Sequence, residues 1–243
     1  MDSQLIRLNK FLAERVGISR READDLIAAG KILVDDKPAI LGARIDKSSK
    51  VCYNNKIIPF EADYLYLAMN KPVGHVCSRR AQGDAPTIYD LLPKEYRHLK
   101  TVGRLDKDSS GLILLTNDGD FAYQMTHPKF RKTKVYEVTL DRTLEPLHQQ
   151  MISDYGVMLD DGPSQFKVIK YSDESNSETS SPATSPSETN SSSYLVFLSE
   201  GRNRQIRRTF AALGYQVKTL HRTNFGKYEL GGLKEGNFVS IEK

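Results

Sequence analysis

The sequence predicts an α+β fold, with a small helical unit at the N-terminus and a larger domain built on a mixed, mainly antiparallel β-sheet. Apolar residues near the start recur at helical spacing, whereas YLYLAMN and KVYEVTL further along alternate or run apolar as strands do. The chain of 243 residues is 39% hydrophobic, which is enough for two modest cores. The pattern changes between Pro59 and Asp63, so we expect the units to span residues 1–60 and 61–243.

Two helices are expected in the first unit. An apolar stripe of helical period runs from Leu5 to Val16, and Gly17 ends it. Ser19 and Glu22 have the spacing of a capping box at the start of a second helix, and Gly30 stands where a C-terminal cap would. The following KILVDDKPAI is typical of a strand and a turn.

Arg20 and Arg21 lie in the first turn of that second helix. Free backbone N–H groups and the helix dipole already favour an anion there, so the pair suits an RNA phosphate. A solvated helix face is the competing interpretation.

Residues 172–193 form a segment of distinct composition, with ten serines, four acids and no Lys or Arg. Such a segment has nothing to bury, so we expect a disordered insert. It separates QFKVIKY from YLVFLS, and we expect these two runs to pair as a hairpin. Setting aside its four acids raises the net charge of the remainder from +4 to +8, an excess that suits a phosphate-rich partner.

Several classes of protein are disfavoured. Cys52 and Cys77 have neither CxxC nor CxxH spacing, which favours reduced thiols and argues against a cysteine metal site. The first residues lack the apolar core of a signal peptide, and no run of ~18 apolar residues could span a membrane. We therefore expect a soluble, cytoplasmic protein with no membrane partner.

The stretch GRLDKDSSGLILLTNDG, residues 103–119, begins like a calcium loop at Asp106. The twelfth position of such a loop should be a bidentate glutamate and is Asn117, which argues against calcium. The apolar run 112–115 has the length of a buried strand. Asp106 is then either an acidic turn residue at the entrance of that strand or a catalytic carboxylate.

The stretch EGRNRQIRR, residues 200–208, carries four arginines in seven residues. On a helix that buries Ile206 and Phe210, Arg207 lies near the boundary of the buried face and could reach inward to Asp106. A guanidinium there would lower the pKa of the carboxyl group and keep it ionised, as a nucleophile requires. An ordinary surface ion pair is the alternative.

The N-terminal unit resembles the small αL RNA-binding module of the S-four type, first known from a ribosomal small-subunit protein. The matching string is RLNKFLAERVGISRREADDLIAAGKILVDDKPA, which contains R-L-x-K-x-L-A, S-R-x-x-A and G-x-[VI]-x-V-[DN]. The resemblance implies that the residues contacting the RNA backbone are Arg7, Lys10, Arg20, Arg21 and Lys31. Phosphate contacts of this kind hold an RNA without choosing its sequence.

Stretches of the second unit together resemble the RsuA/RluB group of ribosomal RNA pseudouridine synthases. GRLDKDSSGLILLTNDG matches the signature G-R-L-D-x-[DN]-[ST]-x-G-L-x-L-L-T-x-D-G, which places the group's catalytic aspartate at Asp106. NKPVGHVCS resembles the group's first motif, KVYEV its tyrosine strand and EGRNRQIRR its arginine motif. The chain departs from the group in its serine-rich insert, at Ser109 where Thr is commoner, and at Thr209 where Met is commoner.

This second resemblance implies a pseudouridine synthase catalytic domain, which detaches uracil from its ribose, rotates it and rejoins it through C5 without a metal or cofactor. It implies Asp106 as the nucleophile, Tyr136 as the ring that stacks on uracil, and Arg207 as the basic partner of the aspartate. Arg104 is expected to support the flipped-out uridine. The further RNA-binding residues expected on this basis are Lys71, Arg202, Arg204 and Arg208.

The expected partner is ribosomal RNA or a pre-ribosomal particle, and we expect the protein to act as a monomer. DDGPSQFK and NRQIRR favour large-subunit over small-subunit RNA. A non-catalytic RNA-binding or ribosome-assembly protein that keeps the fold is the alternative function. Retention of Asp106, Tyr136 and Arg207 together favours the enzyme.

Overall fold

The structure is a computed structural model that describes residues 5–61, 63–79, 82–171 and 192–243. Its N-terminal elements are β1 (Ile6–Arg7), α1 (Leu8–Arg15), α2 (Arg20–Ala28), β2 (Ile32–Val34), β3 (Lys37–Pro38), β4 (Arg44–Ile45), β5 (Val51–Tyr53) and β6 (Lys56–Ile57). Strands β3, β2, β5 and β6 form a small antiparallel sheet, and β1 pairs with β4. The two helices expected from the sequence are confirmed.

The start of α2 shows why the second helix begins where it does. The Oγ of Ser19 accepts a hydrogen bond from the Glu22 N–H at 3.1 Å, and the Glu22 carboxylate accepts one from the Ser19 N–H at 2.6 Å. This reciprocal pair satisfies two N–H groups that a helix end leaves free, and it confirms the predicted capping box. Leu8 and Phe11 of α1 and Ile27 of α2 are buried in the core that both helices share with the small sheet.

The remaining elements build the larger domain. They are β7 (Tyr66–Lys71), 3₁₀ turns at Ile88–Leu91 and Lys94–Tyr96, β8 (Lys100–Val102), β9 (Ser110–Thr116), α3 (Gly119–Thr126), a 3₁₀ turn at Pro128–Phe130, β10 (Lys134–Leu140), α4 (Pro146–Gln150) with a π-helical turn (Met151–Tyr155), β11 (Val157–Leu159), β12 (Gly162–Ser164), β13 (Lys167–Tyr171), β14 (Ser192–Leu198), α5 (Gln205–Ala212), β15 (Val217–Phe225), β16 (Tyr228–Glu229) and β17 (Phe238–Ser240). Within the described ranges, no helix has both the length and the apolar content needed to cross a bilayer.

The described strands of this domain form a nine-stranded sheet in the order β13-β14-β10-β15-β9-β7-β17, with β16 paired to β15 and β8 to β9. The pairs are antiparallel apart from β15 with β9, which is parallel. The predicted α+β fold with a mixed, mainly antiparallel sheet is confirmed.

Strand β9 lies near the middle of the sheet and explains the apolar run within residues 103–119. Leu112 and Leu114 belong to one buried cluster, together with Phe121 of α3. Ile113 and Leu115 belong to the other, larger cluster. Successive side chains of a strand point to opposite faces, so all four residues are buried because both faces of β9 are covered. The predicted buried strand is confirmed.

Strands β13 and β14 pair antiparallel, with Tyr171 opposite Ser193, which confirms the predicted hairpin. The expected insert, residues 172–193, is placed wrongly at its end, because Ser192 and Ser193 belong to β14. The reason is backbone pairing: Ser193 also lies opposite Thr139 of β10, so the ladder continues through two serines that themselves have no apolar side chain. The rest of the predicted insert, 172–191, lies outside the described residues.

The two units touch through charged groups. Lys10 of α1 binds the Asp120 carboxylate of α3, with 2.5 Å between Nζ and Oδ1. Lys100 of β8 donates to the carbonyls of Ala13 and Ile18 at 3.3 and 3.0 Å. Lys10 was expected to contact RNA, but its ammonium group is already paired within the protein.

Candidate active site

The loop that carries Asp106, residues 103–109, connects β8 to β9 and is fixed by hydrogen bonds to its backbone. The Sγ of Cys77 donates to the Leu105 carbonyl at 3.3 Å, and the Gly74 N–H donates to the Lys107 carbonyl at 2.7 Å. Burial raises the pKa of the Cys77 thiol, which keeps it in its donor form.

Two cations hold the end of the same loop. The Nη2 of Arg207 donates to the Asp108 carbonyl at 2.7 Å, and the Nζ of Lys71 donates to the Ser109 carbonyl at 2.6 Å. Lys71 is fully buried, so the prediction that it contacts RNA is wrong. Burial lowers the pKa of its ammonium group. Together with the bonds to Leu105 and Lys107, these contacts fix the backbone on both sides of Asp106.

A cavity of about 480 Å³ opens beside this loop. Among its lining residues are Asp106, Tyr136, Leu198, Leu220, Arg222 and Phe225. The Asp106 side chain is 33% exposed, whereas Tyr136 of β10 is only 7% exposed. The same cavity is therefore lined by a carboxylate that solvent can reach and by a largely buried aromatic ring.

The arginine motif meets the Asp106 loop in an arrangement different from the one expected. Arg204 lies 3.6 Å from the Asp106 carboxylate and donates to both carboxylate oxygens of Asp108 at 2.9 and 2.8 Å. Arg207 instead lies 3.4 Å from Asp108 and donates to the Val217 carbonyl at 2.9 Å. The prediction that Arg207 pairs directly with Asp106 is wrong, because its guanidinium is taken up by Asp108 and two backbone carbonyls.

These contacts change the ionisation of the loop. Hydrogen bonds from Arg204 hold the pKa of the Asp108 carboxyl below its usual range, and the charge of Arg207 adds to this effect. Burial lowers the pKa of Arg207, opposed by the charge of Asp108. Asp108 therefore serves as the anion that brings the arginine motif to the loop.

Two other arginines expected to bind RNA are engaged with the β11–β12 hairpin. Arg202 donates to the carbonyls of Gly162 and Pro163 at 3.1 and 2.8 Å. Arg208 donates to the Asp161 carboxylate at 2.8 Å. These hydrogen bonds hold Arg202 and the start of α5 against the hairpin, while both side chains keep an exposed fraction, 21% for Arg202 and 28% for Arg208. RNA contact at these two positions stays a prediction.

The other residues expected to bind RNA are accessible. Arg104 is exposed and lines the cavity that contains Asp106. Arg7, Arg20, Arg21 and Lys31 are all exposed on the N-terminal unit.

The sequence reasoning missed Arg222 as part of the site, and it took Lys134 only as one residue of a basic run, 129–134, that would follow the RNA. Both line the cavity, and burial lowers the pKa of Lys134 to about 8, with the neighbouring charge of Arg222 adding to the shift. The signal for Arg222 was its position two residues after Leu220 on a strand, which places it on the same buried face.

The comparisons with known proteins identify the fold and its chemistry. Residues 65–212 match the family described as RNA pseudouridylate synthase, and residues 6–48 match the S4 domain. The chain belongs to the RNA pseudouridylate synthase family. The domain built on the nine-stranded sheet is therefore the catalytic domain of a pseudouridine synthase.

Relatives of this pseudouridine synthase match along nearly the whole chain. Ribosomal small subunit pseudouridine synthase A of Pasteurella multocida is 33% identical over 241 residues, which cover 97% of this chain and 96% of that protein. Ribosomal large subunit pseudouridine synthase B of Salmonella typhi is 35% identical over 246 residues, which cover 97% and 79%. A crystal structure of a pseudouridylate synthase superposes with a TM-score of 0.64 at 30% identity, covering 98% of this chain and 96% of the other. The resemblance to the RsuA/RluB group is confirmed.

Proposed function

We propose that this pseudouridine synthase acts on ribosomal RNA, with Asp106 as the nucleophile and a uridine flipped out of its helix or loop into the cavity. In this isomerisation the N1–C1′ bond breaks and a C5–C1′ bond forms, while C5 loses a proton and N1 gains one. No electrons enter or leave the substrate. The central requirement is one ionised and well-oriented carboxylate.

The position of Asp106 carries the proposal. Its carboxylate lines a cavity large enough for a nucleobase, on a loop whose backbone is held at Leu105, Lys107, Asp108 and Ser109. A fixed loop keeps a reacting group in place without reorganisation during the reaction. The buried ring of Tyr136 offers an apolar face on which a uracil could stack.

The two units would divide the work between them. Arg7, Arg20, Arg21 and Lys31 are exposed cations on the N-terminal unit and would contact phosphates of the RNA. Arg104, exposed at the cavity, would support the strand from which the uridine has been extruded.

We further propose large-subunit RNA as the substrate, on the basis of the DDGPSQFK and NRQIRR stretches. Relatives that act on each subunit match this chain at 33% and 35% identity, so the assay has to include both RNAs. Unmodified large- and small-subunit transcripts and precursor particles are incubated with the protein, and pseudouridine is mapped by carbodiimide-blocked primer extension.

The variant Asp106→Asn tests the nucleophile. We expect its single-turnover rate to fall at least about 1000-fold, because the reacting group itself is removed. Asp108→Asn is the matched control, since Asp108 lies on the same loop but outside the lining of the cavity. It should retain far more activity than Asp106→Asn. Product from Asp106→Asn at the wild-type rate would refute the assignment, and no product from the wild type on either RNA would favour a binding protein.

A further inference from the structure

Arg222 of β15 is among the largest fully buried side chains of the described residues, with 2% of its surface exposed. Its Nε donates to the Leu112 carbonyl of β9 at 2.7 Å, whereas its Nη2 has no hydrogen-bond partner. The guanidinium carbon lies 4.9 Å from the ring centroid of Phe225 and 6.0 Å from that of Tyr136. Arg222 also lines the cavity that contains Asp106.

A buried cation of this kind normally has an anionic partner, because removing a charge from water is expensive. In the described part of the chain, no carboxylate oxygen lies within ion-pair distance, 4.0 Å, of an Arg222 nitrogen. The contact with Leu112 and the two aromatic rings anchor the side chain, but they leave the Nη2 edge unpaired. Nη2 is buried, and because Arg222 lines the cavity, an acceptor that enters the cavity is the partner we consider for it.

A second cation lies near Arg222 and adds positive charge to this part of the cavity. Lys134 lines the same cavity, and its Nζ lies 5.5 Å from the same Phe225 ring while donating to the Glu200 carbonyl at 2.9 Å. Arg222 and Lys134 are close enough for the charge of Arg222 to disfavour protonation of Lys134. Two neighbouring cations on one wall suit a ligand that carries, or develops, negative charge.

We propose that Arg222 binds a carbonyl oxygen of the flipped uracil and stabilises the negative charge that the base acquires when its bond to ribose breaks. This inference rests on the proposed function. A uracil released from N1 as an anion spreads its charge onto its carbonyl oxygens, and these are the acceptors that a free guanidinium edge recognises. Asp106 would act on one part of the nucleoside while Arg222 holds the departing base so that it can turn and present C5.

The test uses the uridine located by the mapping assay and measures single-turnover rates at saturating protein. Arg222→Met should slow conversion about 10- to 100-fold, the effect of losing one hydrogen bond between charged groups, while RNA affinity stays within about threefold. Arg222→Lys keeps a cation and a donor toward Leu112, so it should recover part of the lost rate.

Arg142→Met is the matched control. Arg142 also donates to a backbone carbonyl, that of Gly214 at 2.7 Å, and lies over a ring, that of Tyr215 at 4.5 Å, but it does not line the cavity. Its rate should equal that of the wild type. A folded Arg222→Met with a rate within twofold of the wild type would overturn the inference.

A substrate change separates binding of uracil from a purely structural role. RNAs with 2-thiouridine or 4-thiouridine at the target replace one carbonyl oxygen by sulfur, a weaker acceptor. One of these two thiouridine RNAs should lower the single-turnover rate of the wild type. The same RNA should lower the rates of Arg222→Met and Arg222→Lys by a much smaller factor. Equal losses in wild type and in both variants would refute the contact, even if Arg222→Met proved poorly folded. If the wild type converts no uridine at all, the proposed function itself fails and this inference with it.

Discussion

The parallel pairing of β9 with β15 depends on the absence of a side chain at Gly111. This residue lies opposite Arg222 with a φ of +101°, and a β-carbon there would lie 2.3 Å from the Arg222 carbonyl oxygen and 2.5 Å from its nitrogen. In Gly111→Ala the positive φ costs about 1–2 kcal/mol. Forcing apart the two packed strands adds about 1–3 kcal/mol.

The expected total, about 2–5 kcal/mol, should lower the Tm of a domain of this size by about 10 °C. Two other glycines separate the contributions. Gly236 has a φ of +79°, and a β-carbon added there would meet no described atom within 4 Å, so Gly236→Ala should lose only the backbone part, about 1–2 kcal/mol. Gly232 has neither a positive φ nor a described neighbour within 4 Å, so Gly232→Ala should change stability by less than about 0.5 kcal/mol.

Thermal unfolding followed by far-ultraviolet circular dichroism measures all three variants under one set of conditions. The expected order of Tm is Gly232→Ala above Gly236→Ala above Gly111→Ala. Because Gly111 borders the loop that carries Asp106, the displacement should also slow conversion of uridine. A Tm for Gly111→Ala within about 2 °C of that for Gly236→Ala would show that the close approach of the two strands contributes nothing.

Two further predictions concern RNA binding and pH. Replacing Arg20 and Arg21 by Ala should weaken RNA binding and reduce the slope of log affinity against log salt by about 1.5, as expected for two lost phosphate contacts, without slowing the single-turnover step. A rate that falls as much as the affinity would contradict the division of work between the units. Burial lowers the pKa of Lys134 in the folded protein to about 8, whereas an ordinary lysine has a pKa of 10.5. As the pH rises, the folded state therefore loses this proton at a lower pH than the unfolded state does. Between these two pH values the stability of the wild type should therefore rise with pH relative to that of Lys134→Met, measured as Tm. Parallel curves of Tm against pH for the two proteins would contradict the burial of this ammonium group.

The parts of the fold that depend on local sequence could be read without the structure. The Ser19–Glu22 capping box closes within one helical turn, and residues 112–115 show strand character through length and flanking turns alone. Both depend on neighbours in the chain. The hairpin of β13 and β14 was also predictable, because its strands keep their apolar pattern on either side of the segment between them.

The contacts of the charged residues could not be read in the same way. Helical periodicity placed Arg207 near the inner edge of α5, but the angle of α5 to the loop decides whether it reaches Asp106 or Asp108. Lys71 was expected to bind RNA, and nothing in its neighbouring sequence shows that its ammonium group is buried and donates to the Ser109 carbonyl. Arg222 was missed because a basic residue in a strand is usually at the surface, although its spacing from Leu220 places both residues on one buried face.

The hairpin of β13 and β14 has a practical consequence for handling this enzyme. Leu198, at one end of β14, lines the catalytic cavity, whereas Ser192 begins the strand at the opposite end. At about 3.4 Å per residue, the two ends lie about 20 Å apart. A fluorophore or an affinity handle attached at Ser192 would therefore lie far from the chemistry.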